Sequence, residues 1–237
     1  MNEFFTVIGQ VAVIAFAGAL GAIWSWRNFR LLWFVGALDL YVLYDFLLTR
    51  GFFAVPNLPA DSAWNWAGRF VALVGLLSVA RSPLLGYRRS GLTLPQNAGL
   101  RPALVVLLML SAVCVFLPVS ASDGRDLWET VAFQWLMPGL DEEVFYRGVL
   151  LLAMNEAFRA RILVWGAAIG YGGLLTSVLF GLAHALSFQS GVYEFDSTLF
   201  LITALPSLLL LWMRERTGSV LMPIVAHNIA NGVFTLF

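Results

Sequence analysis

Apolar runs about as long as a bilayer is thick recur along this 237-residue chain, and they restrict its fold more than any other feature. They cover roughly 5–24, 31–48, 64–80, 103–120, 140–158, 163–186, 197–213 and 219–237. Each is close to the ~20 residues that a transmembrane helix requires. Backbone groups in hydrocarbon must satisfy one another, and a helix does this within a single segment. Only 12% of the residues are charged, about half the share in a soluble domain. The expected fold is therefore all-α: a polytopic membrane helix bundle of about eight transmembrane helices, forming one integral-membrane domain over 1–237.

The connections between the runs carry an orientation signal. All fourteen basic residues are Arg. Ten of them fall in alternate loops: Arg27 and Arg30; Arg81, Arg88, Arg89 and Arg101; Arg159 and Arg161; Arg214 and Arg216. The other loops lean acidic, with Asp61, then Asp123, Asp126 and Glu129, then Glu194 and Asp196. The positive-inside rule puts the Arg loops in the cytoplasm and both termini outside, as in a bacterial plasma membrane protein. Met1-Asn2-Glu3 lacks a positive leader, so the first run reads as a retained helix. The 81–102 piece reads as a connector along the headgroups. The apolar 126–138 piece ends at Pro138-Gly139 and reads as an interfacial or re-entrant helix leading into the fifth run. Trp24, Trp26, Trp64, Trp66, Trp165 and Trp212 lie near run ends, as an interfacial aromatic belt would. A net charge of zero argues against nucleic acid. Cys114, the single cysteine, excludes an internal disulfide and reads as a small buried hydrophobe.

One stretch breaks the apolar pattern: Asp141-Glu142-Glu143-Val144-Phe145-Tyr146-Arg147-Gly148. Ionisable groups in a membrane are expensive and persist where they do chemistry. On a helix Glu143 and Arg147 share a face and can pair. Glu142 is turned about 100° away and is left to face something else. Both histidines of the chain also sit in apolar runs. His184 ends Phe180-Gly-Leu-Ala-His184, and His227 shares a face with Asn231, four residues on. Three runs thus bring polar groups toward one interior pocket, with His227 deeper than Glu142 and His184 if the run ends are level. Asp39 and Asp45 in the second run read as structural, with Tyr41 or Tyr44 as hydrogen-bond partners.

Glu-Glu-x-x-x-Arg, then Phe-x-x-x-His, then His-x-x-x-Asn, in that order on apolar helices, resembles the CPBP family. That family includes type II CAAX prenyl endopeptidases and the Abi, or bacteriocin-processing, proteins. The resemblance covers roughly 103–237, a catalytic core after N-terminal helices and a connector over 1–102. It implies an intramembrane glutamic protease acting on a membrane-associated protein or peptide. Carried over, Glu142 with His184 would hold and activate a water, and His227 and Asn231 would stabilise the oxyanion. Glu143, Arg147 and Phe180 would support them. The implied partners are the substrate and the lipid bilayer; oligomeric state is left open.

No cofactor is expected. Zinc stays as an alternative, because two His and a Glu could supply three ligands, although the His-Glu-x-x-His spacing is missing. Two non-proteolytic readings also stay open. One is a membrane immunity or scaffold protein in which the acids are a packing device. The other is a proton-coupled transporter, which should show two matching halves with broken helices; the sequence shows no such symmetry.

Overall fold

A computed structural model describes residues 2–49, 62–96, 99–116 and 127–236. The described residues form eight helical rods and no closed sheet, so the all-α bundle is confirmed. The helices are α1 (Asn2–Trp24), α2 (Leu31–Thr49), α3 (Trp66–Ala80), α4 (Leu100–Phe116), α5 (Leu127–Glu143), α6 (Leu151–Ala157), α7 (Tyr171–Ala185), α8 (Ser197–Thr217) and α9 (Leu221–Val233). A π-helix, Val144–Leu150, joins α5 to α6 without a break.

The two ends of the bundle differ in chemistry. The loops after α1, α3, α6 and α8 meet at one end. There Arg30 N donates to Ala157 O and Arg159 N to Asn28 O, while Val220 N donates to Gly91 O. Glu156 draws Arg30, Arg89 and Arg159 together at the same end. The opposite end gathers the start of α1, the end of α2 and the start of α5. Asn65 Nδ2 donates to Leu48 O, and Glu129 accepts from Ser62, Trp64 and Trp66. The alternation of Arg and acid read along the chain is thus a segregation in space. Asp61, Asp123 and Asp126 lie outside the described residues.

Three local expectations are corrected. First, Pro138-Gly139 does not end a short re-entrant helix; the rod runs from 127 to 157, about 46 Å at helical rise. A proline removes one backbone donor and distorts the turn before it. In a packed membrane bundle, neighbouring helices can satisfy the groups this frees. Here Gly139 N donates to Asn228 Oδ1 on α9 at 2.8 Å. Gly139 also lets the helices touch, since a Cβ there would stand 2.7 Å from Ile224 O.

Second, the 163–186 run is not one helix. Its first part belongs to a hairpin of β1 (Arg161–Val164) and β2 (Ala167–Gly170), and a second hairpin, β3 (Leu186–Gln189) with β4 (Val192–Phe195), follows α7. Both turns take two residues with positive φ, Trp165-Gly166 and Ser190-Gly191, the conformation that suits two-residue hairpins. Consequently not every run is a full-length span. Among the described residues three helices, α1, α2 and α8, are long and apolar enough to cross a membrane; α3, α4 and α7 are apolar but shorter.

Third, the tryptophans divide. Trp24, Trp26 and Trp165 are exposed as a belt requires, but Trp212 is buried, its Nε1 donating to Val164 O. Trp64 and Trp66 use their indole N–H groups on Thr130 and Glu129.

Candidate active site

The acidic stretch lies near the middle of the α5–α6 rod, at the junction with the π-helix. A π-helix adds a residue to a turn and rotates the residues that follow; such bulges recur at functional sites. All seven of its residues are buried. Tyr44 of α2 stacks flat on Phe145, with ring centroids 4.0 Å apart.

Glu143 and Arg147 pair as expected, with Arg147 Nη1 donating to Glu143 Oε1 at 3.0 Å, both fully buried. Arg147 Nη2 donates to Ser207 Oγ at 2.7 Å and Ser207 O at 3.3 Å, and the guanidinium lies 4.7 Å from the centre of the Phe180 ring. Glu143 Oε1 also lies 2.7 Å from His227 Nδ1. A carboxylate only accepts, so Nδ1 carries the proton in that bond and Nε2 is turned away from Glu143.

His227 Nε2 faces Glu142, 3.9 Å from its Oε2. The depth difference expected between them disappears because α5 begins well before the acids, which sets Glu142 deep in the rod. Glu142 is not left unpaired by the helix turn, as the sequence suggested. Arg69 of α3 donates from Nη1 to Glu142 Oε1 at 2.8 Å and to Asp141 Oδ1 at 2.7 Å. Asp141 Oδ2 accepts from Tyr44 at 2.9 Å. Glu142 Oε2 accepts no hydrogen bond from the described residues. Tyr41 and Tyr44 therefore do not bond Asp39 or Asp45; Tyr41 donates to Gln10 Oε1 at 2.5 Å.

His184 ends α7, and its Nδ1 lies 2.8 Å from Phe180 O. Nδ1 donates to that carbonyl, which leaves Nε2 as an acceptor. Gln10 of α1 braces the segment, with its Nε2 donating to Leu182 O at 3.2 Å and Leu186 O at 3.0 Å, on either side of His184. Glu142 and His184 both line a cavity of about 480 Å³. Its wall comes mainly from α1, α2 and β3, including Gln10, Tyr41, Tyr44 and Asp45. These belong to the end opposite the Arg loops. His227 and Asn231 are not part of that wall; His227 meets Glu142 beside it. Asn231 lies one turn beyond His227 on α9 and is half-buried.

Three carboxylates, two guanidiniums and two imidazoles in this arrangement can bind a small polar group and move a proton. Residues 124–233 match the family model described as type II CAAX prenyl endopeptidase Rce1-like. That stretch is similar to the Rce1-like family. That family is one of CAAX-type intramembrane proteases, hydrolases of the membrane. No match was found among curated proteins or among solved structures.

The matched stretch contains Glu142, Glu143, Arg147, Phe180, His184, His227 and Asn231, the residues named from motif spacing. It excludes Gln10, Tyr41, Tyr44 and Arg69, which the sequence reading missed or gave other partners. Arg69 had a legible signal, being the single charged residue in the apolar helix Trp66–Ala80; a lone intramembrane charge implies a partner. Asp141 was equally visible as the first of three acids. Gln10 carried no comparable mark. Among the described residues no three His, Cys, Asp or Glu side chains are grouped to hold a metal ion.

Proposed function

We propose that the chain is a glutamic-type intramembrane endopeptidase in which Glu142 activates water. The observation that carries this reading is the state of the Glu142 carboxylate. One oxygen is held by Arg69; the other, without a hydrogen bond from the described residues, lies between His227 Nε2 and the cavity shared with His184. A water donating one hydrogen to Glu142 Oε2 and the other to His184 Nε2 keeps a lone pair for attack on a carbonyl carbon. Glu142 takes the proton as the C–O bond forms, then delivers it to the leaving nitrogen as the C–N bond breaks. The products are a carboxylic acid and an amine. A positioned general base contributes about 10²- to 10⁴-fold to such a step.

The electrostatics favour His227 as the oxyanion donor. Among the described residues, Asp141, Glu142 and Glu143 gather around Arg69, Arg147 and the His227 imidazole. With Nδ1 bonded to Glu143, a proton on His227 Nε2 supplies a donor beside Glu142, with the Asn231 amide as the second. Preorganised donors of this kind are commonly the largest catalytic contribution. No metal enters this scheme. Chelators should leave activity unchanged, whereas stoichiometric zinc whose removal abolishes cleavage and whose return restores it would favour a metalloprotease.

The positive-inside rule puts the Arg end in the cytoplasm. Glu142, His184 and the cavity mouth then serve the outer side of a bacterial plasma membrane, with both termini outside. Such a site suits the trimming of an exported protein's C-terminal sorting anchor better than a prenylated cytosolic substrate. Two experiments test this. Cells carrying Glu142→Gln should accumulate uncleaved membrane-anchored proteins that wild-type cells process; an unchanged membrane proteome would sink the proteolytic reading. In a Cys114→Ser background, an impermeant thiol reagent on intact cells should label a cysteine at Glu194 and not one at Arg88. The reverse pattern would overturn the outward orientation.

A further inference from the structure

Nothing in the family match reaches α3, yet the groups that face Glu142 depend on it. Glu142 stands among Tyr44 and Asp45 of α2, Tyr146 of the π-helix, His184 of α7 and His227 of α9. Among the described residues, the one guanidinium within hydrogen-bond reach of its carboxylate is that of Arg69. A single nitrogen, Nη1, bonds both Glu142 and Asp141. The guanidinium itself is fixed on its apolar side, 5.3 Å from the centre of the Phe133 ring. Asp141 is fixed in turn by Tyr44. The chain Tyr44–Asp141–Arg69–Glu142 thus ties α2 and α3 to the rod and leaves one carboxylate oxygen, Glu142 Oε2, for the reaction. Two buried acids adjacent in sequence could not both stay ionised without a shared cation.

We propose that Arg69 is a positioning residue for the reaction: it holds Glu142 as a carboxylate, turned so that Oε2 faces His227 and the cavity. This rests on Glu142 being the base, but its test needs no substrate. Difference infrared spectroscopy on the purified protein in lipid nanodiscs reads the carbonyl band of a protonated carboxylic acid. Wild type at neutral pH should show no such band from Glu142. Arg69→Met paired with Asp141→Asn, which removes one cation and one anion together and so protects folding, should show it. Adding Glu142→Gln should abolish the new band and assign it. Arg69→Lys with Asp141 intact should look like wild type, because a point charge at the same place suffices to hold the anion.

A band absent from the Met/Asn pair at neutral pH would overturn the proposal, as would a band that survives Glu142→Gln. A purely structural Arg69 would lower thermal stability without moving this band. If the band behaves as expected while Glu142→Gln leaves the membrane proteome unchanged, the geometry stands and the proteolytic reading falls. The two failures are therefore distinguishable.

Discussion

The helices before residue 117 and the helices after residue 126 contribute different things to one site. The later set holds the groups that the proposed reaction uses, Glu142, His184, His227 and Asn231, and is the part that matches a family model. The earlier set holds none of them. It supplies Arg69 against Glu142, Gln10 and Tyr41 against the segment around His184, Tyr44 against Asp141, and much of the cavity wall. Reactive groups must keep fixed spacings on a few helices, so they leave a pattern along the chain. A bracing group needs only to reach its target from whichever helix lies nearby. It leaves no spacing to read, even where the site depends on it.

This division predicts where substitutions act on stability and where they act on rate. The largest stability effect should come from the later set. Glu143→Gln and Arg147→Met each strand a buried charged partner, at about 3–5 kcal/mol. Thermal unfolding in detergent measures this, and the double substitution should cost less than the sum of the two. Additive losses would mean that the pair is not a unit. Gly139→Ala comes next. Its methyl group would press on Ile224 O and on Asn228, and overpacking of this kind costs about 1–3 kcal/mol. It should also push α9, and His227 with it, away from Glu142, so cleavage should fall along with stability. A stable Gly139→Ala protein cleaving at the wild-type rate would show that the α5–α9 crossing does not set the site.

Gln10→Leu tests the other side of the comparison. It removes two hydrogen bonds to the end of α7, worth about 1 kcal/mol each. Its effect on rate should be larger than that loss implies, because small displacements of a reacting group reduce rates by up to about a hundredfold. Precursor cleavage followed in isolated membranes should slow at least about tenfold while the unfolding midpoint moves little. An unchanged rate would reduce the first four helices to a passive wall.

What was legible in the sequence follows the same division. The bundle was readable because hydrocarbon permits few backbone arrangements and because Arg and acid alternate with each crossing. Glu143–Arg147 was readable because helical spacing survives locally even within the π-helix. The unbroken rod was not readable, because whether Pro138 ends a helix depends on Asn228, ninety residues away, accepting from Gly139. The hairpins could have been found: Trp165-Gly166 and Ser190-Gly191 are two-residue turn signals, masked here by the apolar strands beside them. His227 beside Glu142 emerged only from the depth at which α5 begins.

The smallest effect should come from the charged end remote from the cavity. Glu156 gathers Arg30, Arg89 and Arg159, whose side chains are 45–48% exposed. Solvent screens such pairs, and each contributes at most about 1 kcal/mol. Glu156→Gln should therefore lower the unfolding midpoint only slightly, and less so at high salt, because screening has already weakened the pairs it removes. It should not invert the protein in the membrane, since it leaves the Arg count of that end unchanged. Cleavage should be unchanged, because the residues lining the cavity come from the opposite end of α1, α2 and α7. A tenfold loss of cleavage in a stable Glu156→Gln protein would break the comparison at its base. It would mean that the Arg end is coupled through the α5–α6 rod to Glu142, and that the two ends of the bundle do not act separately.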